Sequence, residues 1–202
     1  MKATRAAIIV SLCLLLIGLT AHPQTPDETK HFEKDGLSFD YPSSWQVSDQ
    51  STKQMQFLEL QRGDGYAMVR LRVPREWLKT PQKEAEAKHI IQDRYVAAFV
   101  DQLQQAGMKP TRSDAKTDIA GASADGMRVR AALGGEPGGM DAFYRVISDR
   151  LVQLSQIGSE GEMAKSATAW DIIRNSIKVE PPPQSKPSPQ ATPKSSPTPR
   201  KP

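Results

Sequence analysis

The sequence predicts an α+β fold in which an antiparallel sheet carries a long central helix and a C-terminal helix. Short stretches of alternating apolar and polar residues, bounded by turn-forming residues, lie both before and after residues 81–105. Residues 81–105 and 159–177 instead repeat their apolar residues at spacings of three and four, which is typical of amphipathic helices. Because the strands follow one another in groups, we expect an antiparallel sheet covered by helices.

The first segment is predicted to be an export signal. Lys2 and Arg5 precede an apolar run at residues 6–19, and the small Ala21 marks a suitable cleavage point. The run is shorter than the roughly 20 residues that a bilayer-spanning helix needs. We therefore expect residues 1–21 to be removed, the mature protein to have no transmembrane span, and its location to be the periplasm or the extracellular space.

Cys13 is the only cysteine, and it lies inside this apolar run between Leu12 and Leu14. A lipid-modified cysteine follows a small residue at the end of such a run, so a lipoprotein is not expected. Removal of the signal leaves no thiol, which excludes disulfides, cysteine-ligated metals and a cysteine nucleophile from the mature protein.

The rest of the chain divides into a short linker (22–30), one folded domain (31–179) and a Pro-rich tail (180–202). Nine of the 23 tail residues are proline, and such a composition predicts an extended, disordered segment. The alternative is a tether that contacts the cell wall or a membrane through its lysines and arginine. The domain contains 20 basic and 20 acidic residues, so binding to nucleic acid is not expected.

The first strands are predicted in the segment 35–73. Leu37, Phe39 and Tyr41 share one face of a strand that Pro42 ends, and Trp45 begins the next extended segment. Residues 55–61 and 66–73 form a further predicted hairpin around the turn 63–65. Its second strand turns Val69, Leu71 and Val73 inward and Arg70 and Arg72 outward.

The long helix is predicted over 81–105. Thr80 is the predicted N-cap, Pro81 suits the first turn, Glu84 and Lys88 form a helix-surface ion pair, and Gly107 is the predicted C-cap. Its predicted apolar stripe consists of Ala87, Ile91, Tyr95, Ala98, Phe99 and Ala106.

The second half of the domain is predicted to contain three strands and a helix. Residues 109–119 are expected to be an extended segment and loop. Residues 127–133 are a strand with Arg128 and Arg130 outward, and 134–139 are a glycine-rich loop. Two strands follow, 143–147 and 151–157, around the turn 148–150. Ser159 and Glu162 then form a capping box for a terminal helix whose apolar face is Met163, Ala167, Trp170, Ile173 and Ile177.

Two segments carry a resemblance to a known family. The run at 35–47 resembles the opening of PsbP-like and DcrB-like bacterial domains, which begin with a turn, an alternating strand, a Tyr-Pro pair and a tryptophan. The end of the predicted domain, at 172–177, is similar to the apolar-apolar-x-x-Ser-apolar segment that closes these domains. The resemblance implies a PsbP-like α/β/α sandwich over residues 31–179, in an exported bacterial member. It also implies a protein that binds or scaffolds and is not an enzyme.

Few residues suggest catalysis or a cofactor. Ser123 lies in a segment close to a hydrolase nucleophile elbow, but a strand and not a helix is predicted after it. The loop 134–139 lacks the residues of a phosphate-binding loop, and the histidines His22, His31 and His89 lack zinc-ligand spacing. We therefore predict no cofactor and no metal.

The arginines are the candidate binding residues. If Arg70, Arg72, Arg128 and Arg130 face the same side of the sheet, their guanidinium groups converge and suit a carboxylate or phosphate. The alternative is a solvated face balanced by acids such as Glu59 and Asp141. Trp77, between strand and helix, is predicted to lie on a rim and contact a partner.

The sequence therefore predicts an exported, non-catalytic binding or assembly protein of the bacterial cell envelope. Its partner is an unknown protein or an anionic envelope ligand. Recognition is expected on the exterior, because the apolar periodicities serve packing. An envelope hydrolase with an unrecognised site is the alternative within the enzyme class.

Overall fold

The computed structural model describes residues 28–63, 65, 67–133 and 135–181, without the side chains of residues 81, 84, 87, 92, 93 and 133. The predicted signal peptide, most of the Pro-rich tail, and the side chains of Glu84 and Ala87 lie outside this description. Within it, none of the helices combines the length and the apolar character needed to cross a membrane.

A seven-stranded antiparallel sheet forms the centre of the domain. In spatial order its strands are β3 (Trp45–Asp49), β4 (Met55–Arg62), β5 (Met68–Pro74), β9 (Arg150–Ser159), β8 (Glu136–Ile147), β7 (Ala122–Leu133) and β6 (Thr111–Ile119). Two-residue turns join β6 to β7 and β8 to β9, and all four turn residues have positive φ: Ala120, Gly121, Ser148 and Asp149. The sheet confirms the predicted antiparallel α+β class.

A second, three-stranded sheet was not predicted. It consists of β1 (Thr29–Lys34), β2 (Leu37–Pro42) and the short β10 (Lys178–Val179), with β2 in the middle. The opening hairpin is β1–β2 around Asp35 and Gly36, whereas β2 and β3 belong to different sheets. The alternation of Leu37 and Phe39 was read correctly, because both are fully buried. The sequence does not show that the proline-containing turn after β2 carries the chain from one sheet to the other.

The long helix is one continuous helical run with an irregular middle. It comprises α1 (Pro81–His89), a π-helical turn (Ile90–Tyr95) and α2 (Val96–Gln105). The Thr80 hydroxyl accepts a hydrogen bond from the Lys83 amide, and Gly107, with φ of 78°, closes the helix. Both predicted helix-end signals are therefore confirmed.

The predicted apolar stripe is correct up to the π-helical turn and only in part beyond it. Beyond Ile91 and Tyr95 the buried residues are Val96, Val100 and Leu103, whereas Ala98 and Ala106 are exposed. Phe99, half-buried like Tyr95, packs against this cluster and is correctly predicted. A π-helical turn accommodates one residue more than an α-helical turn, so it rotates every later side chain around the axis. A constant spacing of three and four therefore places part of the stripe on the wrong residues after the turn.

The C-terminal helix is also interrupted. It consists of α3 (Glu160–Lys165) and α4 (Ala167–Ser176), separated at the buried Ser166. The Ser159 hydroxyl accepts from the Glu162 amide at 3.3 Å, as the capping box predicts. Because of the interruption, Ala167 is exposed, while the other predicted apolar residues are buried.

The serine of the closing motif attaches the terminal helix to the small sheet. The Ser176 hydroxyl donates to the Ile172 carbonyl at 2.7 Å and accepts from the Asp40 amide at 2.8 Å. Immediately after it, β10 pairs with β2. The motif therefore has a structural function, which is to close the domain.

Helices cover both faces of the large sheet. On one face, α4 and the small sheet bury a core that includes Phe39, Leu58, Phe143, Trp170 and Ile173. On the other face, α2 packs Val96, Val100 and Leu103 against Val129, Met140 and Ala142. The result is the predicted α/β/α sandwich, with the three-stranded sheet as an addition.

Two predicted irregular segments are strands. Residues 111–119 form the edge strand β6, and β8 begins at Glu136, inside the predicted glycine-rich loop. Gly139 is required by close backbone approach, because an added Cβ would lie 1.9 Å from the Val129 carbonyl oxygen. The glycines predicted a loop, but Gly139 lies in β8, where it allows β8 and β7 to approach closely.

Candidate ligand-binding cleft

A cleft of about 440 Å³ separates the first half of the long helical run from the large sheet. Its sheet side is formed by β4, β5 and β9, and its helix side by α1 and the π-helical turn. The described side chains of α1 are exposed or only half-buried, so α1 covers the cleft and does not pack into the core.

The cleft has a polar floor made by neighbouring strands. Phe57, Arg72 and Gln153 are direct cross-strand partners on β4, β5 and β9. Directly opposed residues of an antiparallel pair point to the same face with Cβ atoms about 5 Å apart. Register therefore places Arg72 and Gln153 next to each other on the face that lines the cleft.

Arg72 is held between two aromatic rings. Its guanidinium carbon lies 4.1 Å from the centre of the Tyr95 ring and 4.7 Å from that of Phe57. Such stacking fixes the plane of the guanidinium group and leaves its N–H edges available. Burial lowers the pKa of Arg72, although the group stays cationic.

No acid neutralises Arg72 among the described residues. Glu59 acts on Arg72 electrostatically, but its carboxylate accepts from Arg70 Nε at 2.8 Å and from Gln50 Nε2 at 2.7 Å. A half-buried guanidinium with five donors is thus left without a hydrogen-bond acceptor in the described part of the chain.

Gln153 is the second unsatisfied donor. The residue is 3% exposed, and its Nε2 is the described buried side-chain nitrogen or oxygen that finds no hydrogen-bond partner. Leaving a buried donor without an acceptor costs about 1–3 kcal/mol. Two adjacent donors without acceptors in the described part of the chain suit a ligand that carries acceptors.

The remaining walls are mostly apolar, and the rim carries charges of both signs. Leu78, Ile91 and Leu151 line the wall, and Ile90, 42% exposed, lies at the edge. At the rim, Lys83 forms an ion pair with Glu76, and Glu86 lies close by.

The four predicted arginines do not converge. Register places Arg70 and Arg72 on the face covered by the long helix, because Arg70 is opposite Ser155, which is opposite Ala142. Arg128 is opposite Asp141, which is opposite Gln156, and this row belongs to the other face of the sheet. Convergence required the two pairs to share a face, and the register across the two intervening strands puts them on opposite faces.

Arg128 and Arg130 form a structural cluster around one carboxylate. Asp141 is 4% exposed and accepts from Arg130 at 2.6 Å and from Arg128 at 3.1 Å, while Arg130 also pairs with Glu160 at 3.4 Å. Burial would raise the pKa of Asp141, but the hydrogen bonds from Arg130 and Arg128 outweigh it and keep the pKa below its ordinary value. Of the acids expected to balance the arginines, Glu59 pairs with Arg70 and Asp141 with Arg128 and Arg130.

Trp77 is half-buried and packs against a second buried arginine. The Arg150 guanidinium lies 5.6 Å from the centre of the Trp77 ring and donates to the Gln56 carboxamide and to the carbonyls of Pro74 and Asp35. The next residue, Leu78, lines the cleft. A partner-contact role for Trp77 remains a prediction.

Sequence reasoning identified Arg72 but missed Gln153 and Tyr95. A signal existed in β9, where Gln153 and Ser155 interrupt the apolar face that Leu151 and Ile157 begin and end. Tyr95 was assigned to packing, although its ring covers Arg72 and its hydroxyl lies 3.4 Å from Ser155 Oγ.

The other candidate groups do not assemble into a site. Ser123 lies within strand β7, and His31 lies 2.6 Å from Asp40 on the exposed surface of the small sheet. In the part of the chain that the structure describes, no three His, Cys, Asp or Glu side chains are grouped so as to hold a metal ion. His22 lies outside the described residues.

Comparison with known proteins identifies the fold. The solution structure of cyanobacterial PsbP (CyanoP) from Synechocystis sp. PCC 6803 is similar to this chain, with a TM-score of 0.53 and 14% sequence identity. The similarity covers 76% of this chain and 94% of the cyanobacterial chain. No protein-family model and no curated protein matches the sequence. The chain therefore has a PsbP-like fold.

Proposed function

We propose that this protein is an exported, non-catalytic binding protein of the bacterial cell envelope, and that it binds its ligand in the cleft beneath α1. The observation that carries the proposal is the pair of adjacent donors on the cleft floor, Arg72 and Gln153, which lack acceptors in the described part of the chain. A protein binds polar ligands by offering such donors in an otherwise apolar cavity.

The contents of the cleft favour binding over catalysis. The hydroxyl of Ser155, the serine nearest its floor, contacts the Tyr95 hydroxyl, and the described hydrogen bonds place no histidine or carboxylate on it. A serine nucleophile needs a general base within hydrogen-bonding distance. The aromatic clamp on Arg72 instead fixes a recognition group.

The envelope location is supported by the N-terminal sequence pattern. Residues 1–21 have the charged start, the short apolar core and the small residue before the cut that export signals require. The PsbP-like fold is compatible with a binding role, since fold alone assigns no chemistry.

The test is to produce the full chain in a bacterial host, fractionate the cells and measure the mass of the exported protein by native mass spectrometry. We expect export with loss of residues 1–21, and a small molecule that stays bound in the native spectrum and is released by denaturation. Leu78→Trp, which fills the cleft, should abolish this bound mass. Ala98→Trp, an equal change at an exposed position of α2, should preserve it.

Two results would contradict the proposal. Retention of the full-length chain in the cytoplasm would remove the envelope location. Chemical conversion of the recovered molecule on incubation with fresh protein, lost in Leu78→Trp and kept in Ala98→Trp, would identify an enzyme.

A further inference from the structure

We propose that the ligand of the cleft is a small monocarboxylate with an apolar body. This inference rests on the binding function proposed above and specifies its ligand class. It depends on three properties of the cleft: the geometry of the donors, the nature of the walls and the balance of charge.

The two donors match the two oxygens of a carboxylate. Arg72 and Gln153 are opposed across neighbouring strands, and both line the cleft. A carboxylate accepts several hydrogen bonds through two oxygens in one plane. One oxygen would accept from Arg72 and the other from Gln153, which supplies the acceptors that both donors lack.

The aromatic clamp prepares Arg72 for this contact. Tyr95 and Phe57 stack on the guanidinium at 4.1 and 4.7 Å between ring centre and guanidinium carbon, so its plane is set before a ligand arrives. A preorganised fork loses less side-chain entropy for each hydrogen bond it forms, and charge-assisted bonds are the stronger ones. Lysine, a flexible point charge, would not reproduce this arrangement.

The walls and the volume of the cleft favour a ligand whose remaining part, beyond the carboxylate, is apolar. Leu78, Ile91 and Leu151 line the space next to the donors, and a volume of about 440 Å³ falls within the usual range for small-molecule sites. An alkyl chain or a single ring attached to the carboxylate would cover these side chains.

The charges at the rim select a single negative charge. At the entrance Lys83 is paired with Glu76, which leaves Glu86 at the rim and Arg72 on the floor as the remaining opposite charges of the lining. A phosphate dianion would feel the repulsion of the rim carboxylates twice as strongly as a monoanion, with the same single guanidinium on the floor to offset it.

The test is isothermal titration of the purified, ligand-stripped protein with octanoate. Octan-1-ol, octylamine and inorganic phosphate serve as the neutral, cationic and multiply charged comparison probes. We expect octanoate to bind at least about tenfold more tightly than octan-1-ol, because hydrogen bonds to charged groups contribute about 1.5–3 kcal/mol. Octylamine and phosphate should give no measurable binding.

Three variants separate recognition from folding. Arg72→Met should weaken octanoate binding at least about tenfold, and Arg72→Lys, which keeps the charge and protects the fold, should weaken it too. Arg112→Met is the control, because Arg112 is an exposed arginine of the edge strand β6 and does not line the cleft. Its octanoate affinity should stay within about twofold of the parent.

The outcomes distinguish the two proposals. Equal binding of octanoate and octan-1-ol, or equal losses in Arg112→Met and Arg72→Met, would overturn the carboxylate assignment. If native mass spectrometry still detects a bound molecule that Leu78→Trp removes, the binding function stands and only the ligand class is wrong. If neither the bound mass nor probe binding is observed, both proposals fail.

Discussion

Replacing Gln153 with methionine should stabilise the ligand-free protein, although the position belongs to the proposed binding site. Most substitutions of a residue that is 3% exposed destabilise a fold. Gln153 is an exception because its Nε2 is buried without a partner in the described structure, so the native state already contains the cost of a lost hydrogen bond.

The size of the effect follows from that cost. An unsatisfied buried donor costs about 1–3 kcal/mol. Methionine has nearly the shape of glutamine, and a volume-conserving exchange costs less than about 1.5 kcal/mol in repacking. We therefore expect the free energy of unfolding to rise by about 1 kcal/mol, the difference between these two terms.

The assay is urea denaturation of the purified protein, with the midpoint read at constant m-value so that only stability is compared. Gln156→Met on the same strand is the matched control. The Gln156 amide donates to Asp141 at 3.3 Å, so its loss should lower the free energy of unfolding by about 1 kcal/mol. A midpoint for Gln153→Met equal to or below that of the parent would refute the assignment of an unsatisfied donor. A gain in stability together with weaker octanoate binding is the combination that a purely structural glutamine would not produce.

Three other parts of the structure give further predictions. Arg150→Met should lower the free energy of unfolding by about 1–3 kcal/mol in urea denaturation, because it leaves the Gln56 carboxamide oxygen buried without this donor; an unchanged midpoint would contradict it. The hydrogen bond from Lys34 at 2.6 Å, with further bonds from Ser51, lowers the pKa of Asp49 from 3.8 to about 2, so its contribution is fully present above about pH 4 and is lost as pH falls through about 2. Unfolding measured from pH 5 to pH 2 should therefore show a shallower acid loss in Asp49→Asn than in the parent, and parallel curves would exclude this role. In hydrogen exchange followed by mass spectrometry, α1 should exchange faster than α2, since only α2 buries Val96, Val100 and Leu103 among described side chains; equal protection would contradict the description of α1 as a cover.

The sequence was sufficient for local structure where one interaction dominates. Alternation correctly assigned Val69, Leu71 and Val73 to the core, and the Thr80, Gly107 and Ser159 end signals all formed. These features depend on neighbouring residues and on one buried face, so the chain itself contains the information.

Relations between distant segments could not be read in the same way. Whether Arg72 and Arg128 share a face depends on the register across β9 and β8, which lie between their strands. The shift at the π-helical turn similarly depends on the sheet that receives α2. Long-range packing determines both the shared face and the position of the turn, and the local spacing of apolar residues contains no information on either.

The candidate site was only partly visible for the same reason. Arg72 stands out because it is a charge in an apolar strand, but its significance comes from Glu59 being occupied by Arg70. Gln153 becomes informative only when its neighbours are known to lack an acceptor. A polar residue in a buried strand ordinarily has a hydrogen-bond partner. The presence of a glutamine in the sequence therefore does not show that its amide lacks one.

The π-helical turn divides the helical run into two segments with different tolerance to substitution. Residues after it form α2, whose buried side chains pack against the sheet. Replacing them with smaller residues would leave cavities in the core and lower stability. Residues before it cover a cleft and bury little, so they can vary at small thermodynamic cost. Related chains could therefore change the cover of the cleft by substitutions in residues 81–89 while the scaffold beneath stays unchanged.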